Sequence, residues 1–261
     1  MAAIFILASV NGIAPRAIKA VMFSGWNSAV FNTFDISIIV WGAWASACYL
    51  AVRANDKKPI TALDVFVACT VLVLVTLPVA PLSLLSVSLL SAYVFLTSPK
   101  HSLERRSATI FFALCVPLLW GPALLALAAH PLLNIDAFLV ATLMGTKQTG
   151  NVVTFVDGVH SMQIWPECSS FHNISQAALA WIALSQTLGQ DLGPRDVFWG
   201  GLAVILAATI NLGRLSLMAV SPEYFVTIHG PLGAQIAGGL TILLIASVCI
   251  LGQRRDLFAH S

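Results

Sequence analysis

Charge is what this chain has least of. Only 9% of its 261 residues are Asp, Glu, Lys or Arg, against about a quarter in a soluble domain. That is too little charge to cover a water-facing surface. The basic residues are scattered among short loops, which argues against a nucleic-acid-binding face. No basic region precedes the apolar residues 1–14, because Arg16 and Lys19 come after them, so this start does not read as a cleavable signal. The five cysteines include no C-x-x-C pair, and Cys48, Cys69, Cys115 and Cys249 sit in apolar runs as small buried hydrophobes do. A structural disulfide is therefore not expected. There is no H-E-x-x-H, no paired Cys/His spacing and no G-x-S-x-G elbow, so neither a metal site nor a serine hydrolase is indicated, and no cofactor is expected. Asp35 and Asp64 fall at span ends on opposite predicted faces, which speaks against an aspartyl protease within the membrane. Internal repeats and low-complexity tracts are absent as well.

What the chain does have is apolar length: it is 58% hydrophobic, with a mean hydropathy of +0.89. Runs at roughly 35–52, 61–79, 82–98, 108–129, 169–189, 197–219 and 233–252 approach or exceed the ~20 residues a helical crossing needs. They are uninterrupted rather than alternating, so they predict helices and not barrel strands. The fold class expected is an all-α polytopic membrane protein, about 7–8 transmembrane helices in a single integral membrane domain over 1–261. Residues 1–34 contain Pro15, Arg16 and Lys19 and read either as a further span or as a short helix plus an interfacial segment. Lys and Arg collect in alternate loops, at 53–58, 100–106 and 190–196, and in the tail at Arg254 and Arg255. This predicts that those loops and the C-terminus are cytoplasmic. The turn near Pro81, the stretch 130–168 and residues 221–232 then face outward. Within 130–168, residues 136–144 read as an amphipathic helix at the interface. Residues 151–165 read as a hairpin, strands at 152–156 and 162–165 around Asp157-Gly158, delivering the chain to Cys168.

Three polar residues stand at the predicted outer face: Cys168, Arg214 and His229. Cys168 follows Pro166 where a helix is expected to begin, a place that favours thiolate through the macrodipole and free N–H groups, with Glu167 opposing. An inert interfacial cysteine is the plain alternative. Arg214 lies in an apolar span near its outer end, where burial costs about 2.5–3.5 kcal/mol and a polar cavity or partner is the usual reason; snorkelling is the alternative. Asn211 adds a polar residue one turn earlier on the same face. His229 precedes Gly230-Pro231 at the start of the last span. His172, four residues past Cys168, is a rival base, and His160 is within reach through the hairpin. A thiol, a fixed cation and an imidazole at one depth are the parts of an acyl-transfer site.

With those positions the chain resembles the exosortase/archaeosortase family, over roughly residues 60–252. The matching residues are Cys168 in Glu-Cys-Ser-Ser, Arg214 in Asn-Leu-Gly-Arg, and His229 followed by Gly230. One departure is Ser170, which stands where the family usually has Gly. The resemblance implies a cysteine peptidase or transpeptidase of the inner membrane, with its site at the periplasmic face. Its substrates would be membrane-anchored proteins carrying a C-terminal sorting signal of the PEP-CTERM type (motif, transmembrane helix, basic tail), often alongside exopolysaccharide production. Cys168 is then the nucleophile, Arg214 the oxyanion or thiolate stabiliser and His229 the general acid/base, with His172 and Asn211 supporting. The acceptor that resolves the thioester is left open. The competing expectation is a non-enzymatic transporter or assembly factor for exopolysaccharide export, using Arg214 to bind an anionic ligand. Against it, no pair of Gly/Pro-broken helices recurs in matching halves.

Overall fold

The computed structural model of the protein describes residues 1–54, 59–77, 79–190 and 193–258. Helices dominate: α1 (Ala2–Phe31), α2 (Ile38–Arg53), α3 (Ala62–Thr76), α4 (Ala80–Thr97), α5 (Leu103–Cys115), α6 (Gly121–Met144), α7 (Ser170–Thr187), α8 (Pro194–Met218), α9 (Pro222–His229) and α10 (Pro231–Phe258). Between α6 and α7 lies a small antiparallel sheet, β1 (Gln148–Thr149), β2 (Val152–Thr154) and β3 (Ser161–Gln163), in that order. Among the described residues, five helical stretches are long and apolar enough to cross a membrane: Ala2–Phe31, Ala80–Thr97, Leu103–Met144, Pro194–Met218 and Gln235–Gly252. α2 and α3 are apolar but shorter. α7 stands outside that set; Ser170, His172, Asn173, Ser175 and Gln176 make its first two turns polar. Of the basic loops read from the sequence, 55–58 and 191–192 lie outside the described residues. The chain divides into two compact units, Met1–Trp120 with Ile182–Asp191, and Gly121–Trp181 with Leu192–Ser261.

In the first unit α5 packs on α2 and α4, and α1 packs on α4. Ser83, Ser86, Ser88 and Ser91 are buried on α4, small residues that let helix backbones approach closely. Asn11 ties three helices, donating to the Val75 carbonyl and to Ser83 Oγ at 2.9 Å each. α1 runs unbroken through Pro15 and bends at Gly25, where φ is 77°. The stretch Ala2–Phe31 is long and apolar enough to cross a membrane, and its two helical segments meet at the non-helical Gly25. Arg16 does not interrupt it. Its guanidinium donates to the Leu118 carbonyl at 2.8 Å, a carbonyl whose α-helical donor four residues on is missing because residue 122 is a proline.

In the second unit the helix read from the sequence at 136–144 is present but starts earlier: residues 129–144 are helical and are set off from 121–127 by a kink at Ala128, so the start of the expected loop at residue 130 is helix. Pro131 sits inside it, and the bend it requires is taken up at Ala128 (φ −131°, ψ 30°). The hairpin is present, and a further strand, β1, joins it. Val153 pairs with Met162, and Gly158 adopts the left-handed φ of 73° that the turn needs. Asp157 closes the turn by accepting from the N–H groups of Val159 (2.9 Å) and His160 (3.0 Å). The period of two then decides the packing. Val153, Phe155, Met162 and Ile164 are buried against Leu133, Ala137 and Val140 of α6 and Leu215 and Met218 of α8. Each large side chain so buried contributes about 1.5–3 kcal/mol. The Val156 N–H also donates to the Ala219 carbonyl at 3.1 Å, fastening the hairpin to the end of α8.

Candidate functional site

Cys168 ends a single 3-10 turn, Pro166–Cys168, between β3 and α7. Pro166 starts the turn, and the N–H groups of Cys168 and Ser169 bond back to Trp165 and Pro166 at 3.0 and 3.2 Å. The first residue of α7 is Ser170, so Cys168 is not its first helical residue. Ser169, fully buried, does the capping: its Oγ accepts from the His172 N–H at 3.2 Å and donates to the Pro166 carbonyl at 2.8 Å. Cys168 thus stands at the approach to the helix N-terminus, two residues before the first helical residue. Burial pushes the Cys168 thiol above its ordinary value; the positive charge of Arg214 pulls it down, and the exposed Glu167 pushes it up. The resting group is the thiol.

Beside it lies His229. Cys168 Sγ and His229 Nδ1 are 3.9 Å apart. His229 stands just before the last long helix, which starts at Pro231. It closes α9, a short helix within the stretch expected to be an outer loop. Its ring stacks on Phe225 one turn earlier, centroids 5.0 Å apart and planes within 8°, and Phe225 meets Phe155 of the hairpin at 6.2 Å. The sheet therefore sets the imidazole through two aromatic contacts. Gly233 allows the next close approach. A Cβ there would collide with the Ile228 carbonyl, backbone that has no flexible way to yield.

That same carbonyl accepts from Arg214 Nη2 at 3.4 Å, so Arg214 of α8 holds the peptide unit that carries His229. Arg214 Nε is buried without a hydrogen-bond partner, and no ion pair among the described residues neutralises the guanidinium. One turn earlier, Asn211 is 4% exposed and reaches the nucleophile's own backbone. Its Nδ2 donates to the Cys168 carbonyl at 3.0 Å and to Ser170 Oγ at 3.3 Å. From α6, Asp136, also 4% exposed, accepts from the Ser170 N–H at 2.9 Å. Ser170 thus ties α6 and α8 to the turn that carries Cys168.

The two rival histidines, His172 and His160, have partners of their own. His172 Nε2 lies 2.8 Å from Gln176 Nε2. His160 pairs with Asp157 at 2.8 Å inside the hairpin, with its side chain 62% exposed; that contact, with two backbone N–H bonds, holds Asp157 down at about 2. A cavity of about 800 Å³ in the first unit, lined by Asp64, Tyr93 and Glu104 among others, holds none of the site residues. Among the described residues no three of His, Cys, Asp and Glu converge as metal ligands.

The arrangement thus brings Cys168, His229, Arg214 and Asn211 together in one unit, and adds Asp136, Ser169 and Phe225, which the sequence reading did not single out. The signal for Asp136 was there: it is a lone acid in an apolar run, where ionisable residues are costly and functional by default. Comparison with known proteins adds nothing to this. No protein-family model matches the chain, and no curated protein or solved structure does. The resemblance drawn from the sequence therefore rests on its residues alone.

Proposed function

We propose that the chain is a cysteine peptidase or transpeptidase of the exosortase kind. In this reading it crosses a bacterial inner membrane about 7–8 times, with its site at the periplasmic face and its C-terminus in the cytoplasm. It cleaves membrane-anchored proteins at a C-terminal sorting signal made of a motif, an apolar helix and a basic tail. The observation that carries the proposal is the Cys168 Sγ to His229 Nδ1 approach of 3.9 Å, with Arg214 close enough for its charge to act on the thiol.

The chemistry follows from those groups. Neutral His229, its proton on Nε2, takes the thiol proton at Nδ1 as the sulfur attacks the peptide carbonyl. Because the resting group is the thiol, proton transfer and attack proceed together. The tetrahedral oxyanion is met by Arg214, which is charged at every working pH and has a buried N–H without a partner. His229 then returns the proton to the leaving amine as the C–N bond breaks, which leaves a thioester on Cys168. An acceptor O–H or N–H, deprotonated by the same imidazole, attacks the thioester and restores the thiol. Water as acceptor makes the enzyme a protease; an amine or a glycan hydroxyl makes it a transpeptidase.

The test is co-expression of the chain with a tagged exported protein of the same genome ending in such a signal, followed on gels. Shortening by the unaltered chain and none by Cys168→Ala is expected. Equal shortening by both removes Cys168 from the mechanism. The same unpartnered Arg214 Nε favours a second reading, a transporter or assembly factor that binds an anionic ligand there. It predicts no shortening of any such protein, and export that depends on Arg214 but not on Cys168.

A further inference from the structure

β3 is an edge strand, and the bond alternation determines what its outer side offers. The Phe155 N–H donates to the His160 carbonyl and the Ile164 N–H to the Asn151 carbonyl, each at 2.9 Å. Between them Val153 pairs with Met162. In an antiparallel ladder these are the residues that exchange bonds, so the N–H and C=O groups of the intervening Ser161 and Gln163 point away from β2. Among the described residues no hydrogen bond takes up those groups. Their side chains are exposed, and Trp165, 56% exposed, continues that face. From β3 the chain runs through Trp165, still extended at φ −96° and ψ 158°, directly into the turn that ends at Cys168. The unpaired edge therefore leads to the nucleophile.

We infer that β3 is the docking strand for the polypeptide to be cut, which adds beside it as an extended fourth strand. This rests on the proposed peptidase reading. Donors and acceptors that recur every second residue along an edge match the backbone of another extended chain. Main-chain bonds to Ser161 and Gln163 supply register, and side chains of the substrate on alternate positions meet Trp165 and its face. Polarity follows from the proposed substrate. β3 runs toward Cys168, so a strand whose C-terminal end reaches Cys168 runs parallel to β3, and the paired residues precede the scissile bond. An antiparallel strand would place the segment after the cut on the sheet, and that segment is the apolar helix in the bilayer.

Proline gives the test, because it removes an N–H without altering a side-chain contact at the site. Ser161→Pro with Gln163→Pro deletes the two outward donors and leaves the β2 ladder intact. The docking mode predicts about a tenfold loss in the rate of shortening of the tagged exported protein. Iodoacetamide labelling of Cys168 in the same variant reports whether the site is still formed. A second arm leaves the enzyme untouched: proline is scanned along the residues of the exported protein that precede the cut. Loss of shortening at every second position is expected. Uniform tolerance, or loss without that period, overturns the docking mode while shortening of the unaltered pair upholds the peptidase reading. No shortening of the unaltered pair brings down that reading and the docking mode together.

Discussion

Asn211→Leu is the sharpest single perturbation of the site. The side chain is 4% exposed, and leucine matches its volume while removing both donors. Lost are the 3.0 Å bond to the Cys168 carbonyl and the 3.3 Å bond to Ser170 Oγ. The first leaves a carbonyl unpaired at a part-buried turn, which costs about 1–3 kcal/mol; the second, longer bond adds about 0.5–1 kcal/mol. Some of that loss falls on the position of the sulfur relative to His229 Nδ1, where 3.9 Å already leaves little room. We expect denaturant midpoints in detergent to fall by the equivalent of about 1.5–4 kcal/mol, and substrate shortening to slow by about tenfold or more. Iodoacetamide, a small reagent that needs no alignment with His229, should label Cys168 at close to the usual rate. Unchanged stability together with unchanged shortening would falsify the claim that Asn211 holds the nucleophile's turn.

Three further outcomes are expected. Burial raises the Cys168 thiol, so its alkylation should reach half-maximum at a higher pH than free cysteine; Arg214→Gln should move the profile further up and Glu167→Gln should move it down. A profile at or below that of free cysteine contradicts the claim that burial outweighs the pull of Arg214 on this thiol. Gly233→Ala should displace the Ile228 carbonyl and with it His229, slowing shortening by about tenfold while the Cys168 alkylation profile changes little. Asp157 sits at about 2 against its ordinary 3.8. A depressed folded-state value means its stabilisation of the hairpin is full above pH ~4 and is lost as pH falls toward 2. Proteolytic nicking at the hairpin should rise over that window, and in Asp157→Asn it should be high already at neutral pH and flat across it.

The helices were legible because their apolar runs are long, and the hairpin because Asp157-Gly158 sits between two short runs rich in β-branched and other apolar residues. Boundaries were legible only where a local rule decided them. The end of the apolar run near residue 129 matches the kink at Ala128, three residues before Pro131, but the helix resumes at once where a loop was expected. Arg16 read as an interruption until the Leu118 carbonyl, deprived of its α-helical donor by Pro122, supplied its partner. In the site, residue types and order pointed to Cys168, Arg214, Asn211 and His229 from span polarity alone. The short α9 did not show in the sequence pattern: eight residues give too little periodicity, and it was read as loop. Asp136 stood out as a lone acid and Ser170 as a departure from the family, but the bond that joins them, between α6 and the start of α7, is one that no local spacing encodes.

The central claim, a thioester on Cys168, is tested most directly by mass spectrometry of the purified chain after incubation with a detergent-solubilised exported protein bearing the C-terminal signal. The account predicts an adduct on Cys168 equal to the retained part of the substrate, released by hydroxylamine, enriched in His229→Ala if any attack persists, and absent in Cys168→Ala. Shortened substrate with no adduct on Cys168, or an adduct on any other residue, would contradict it.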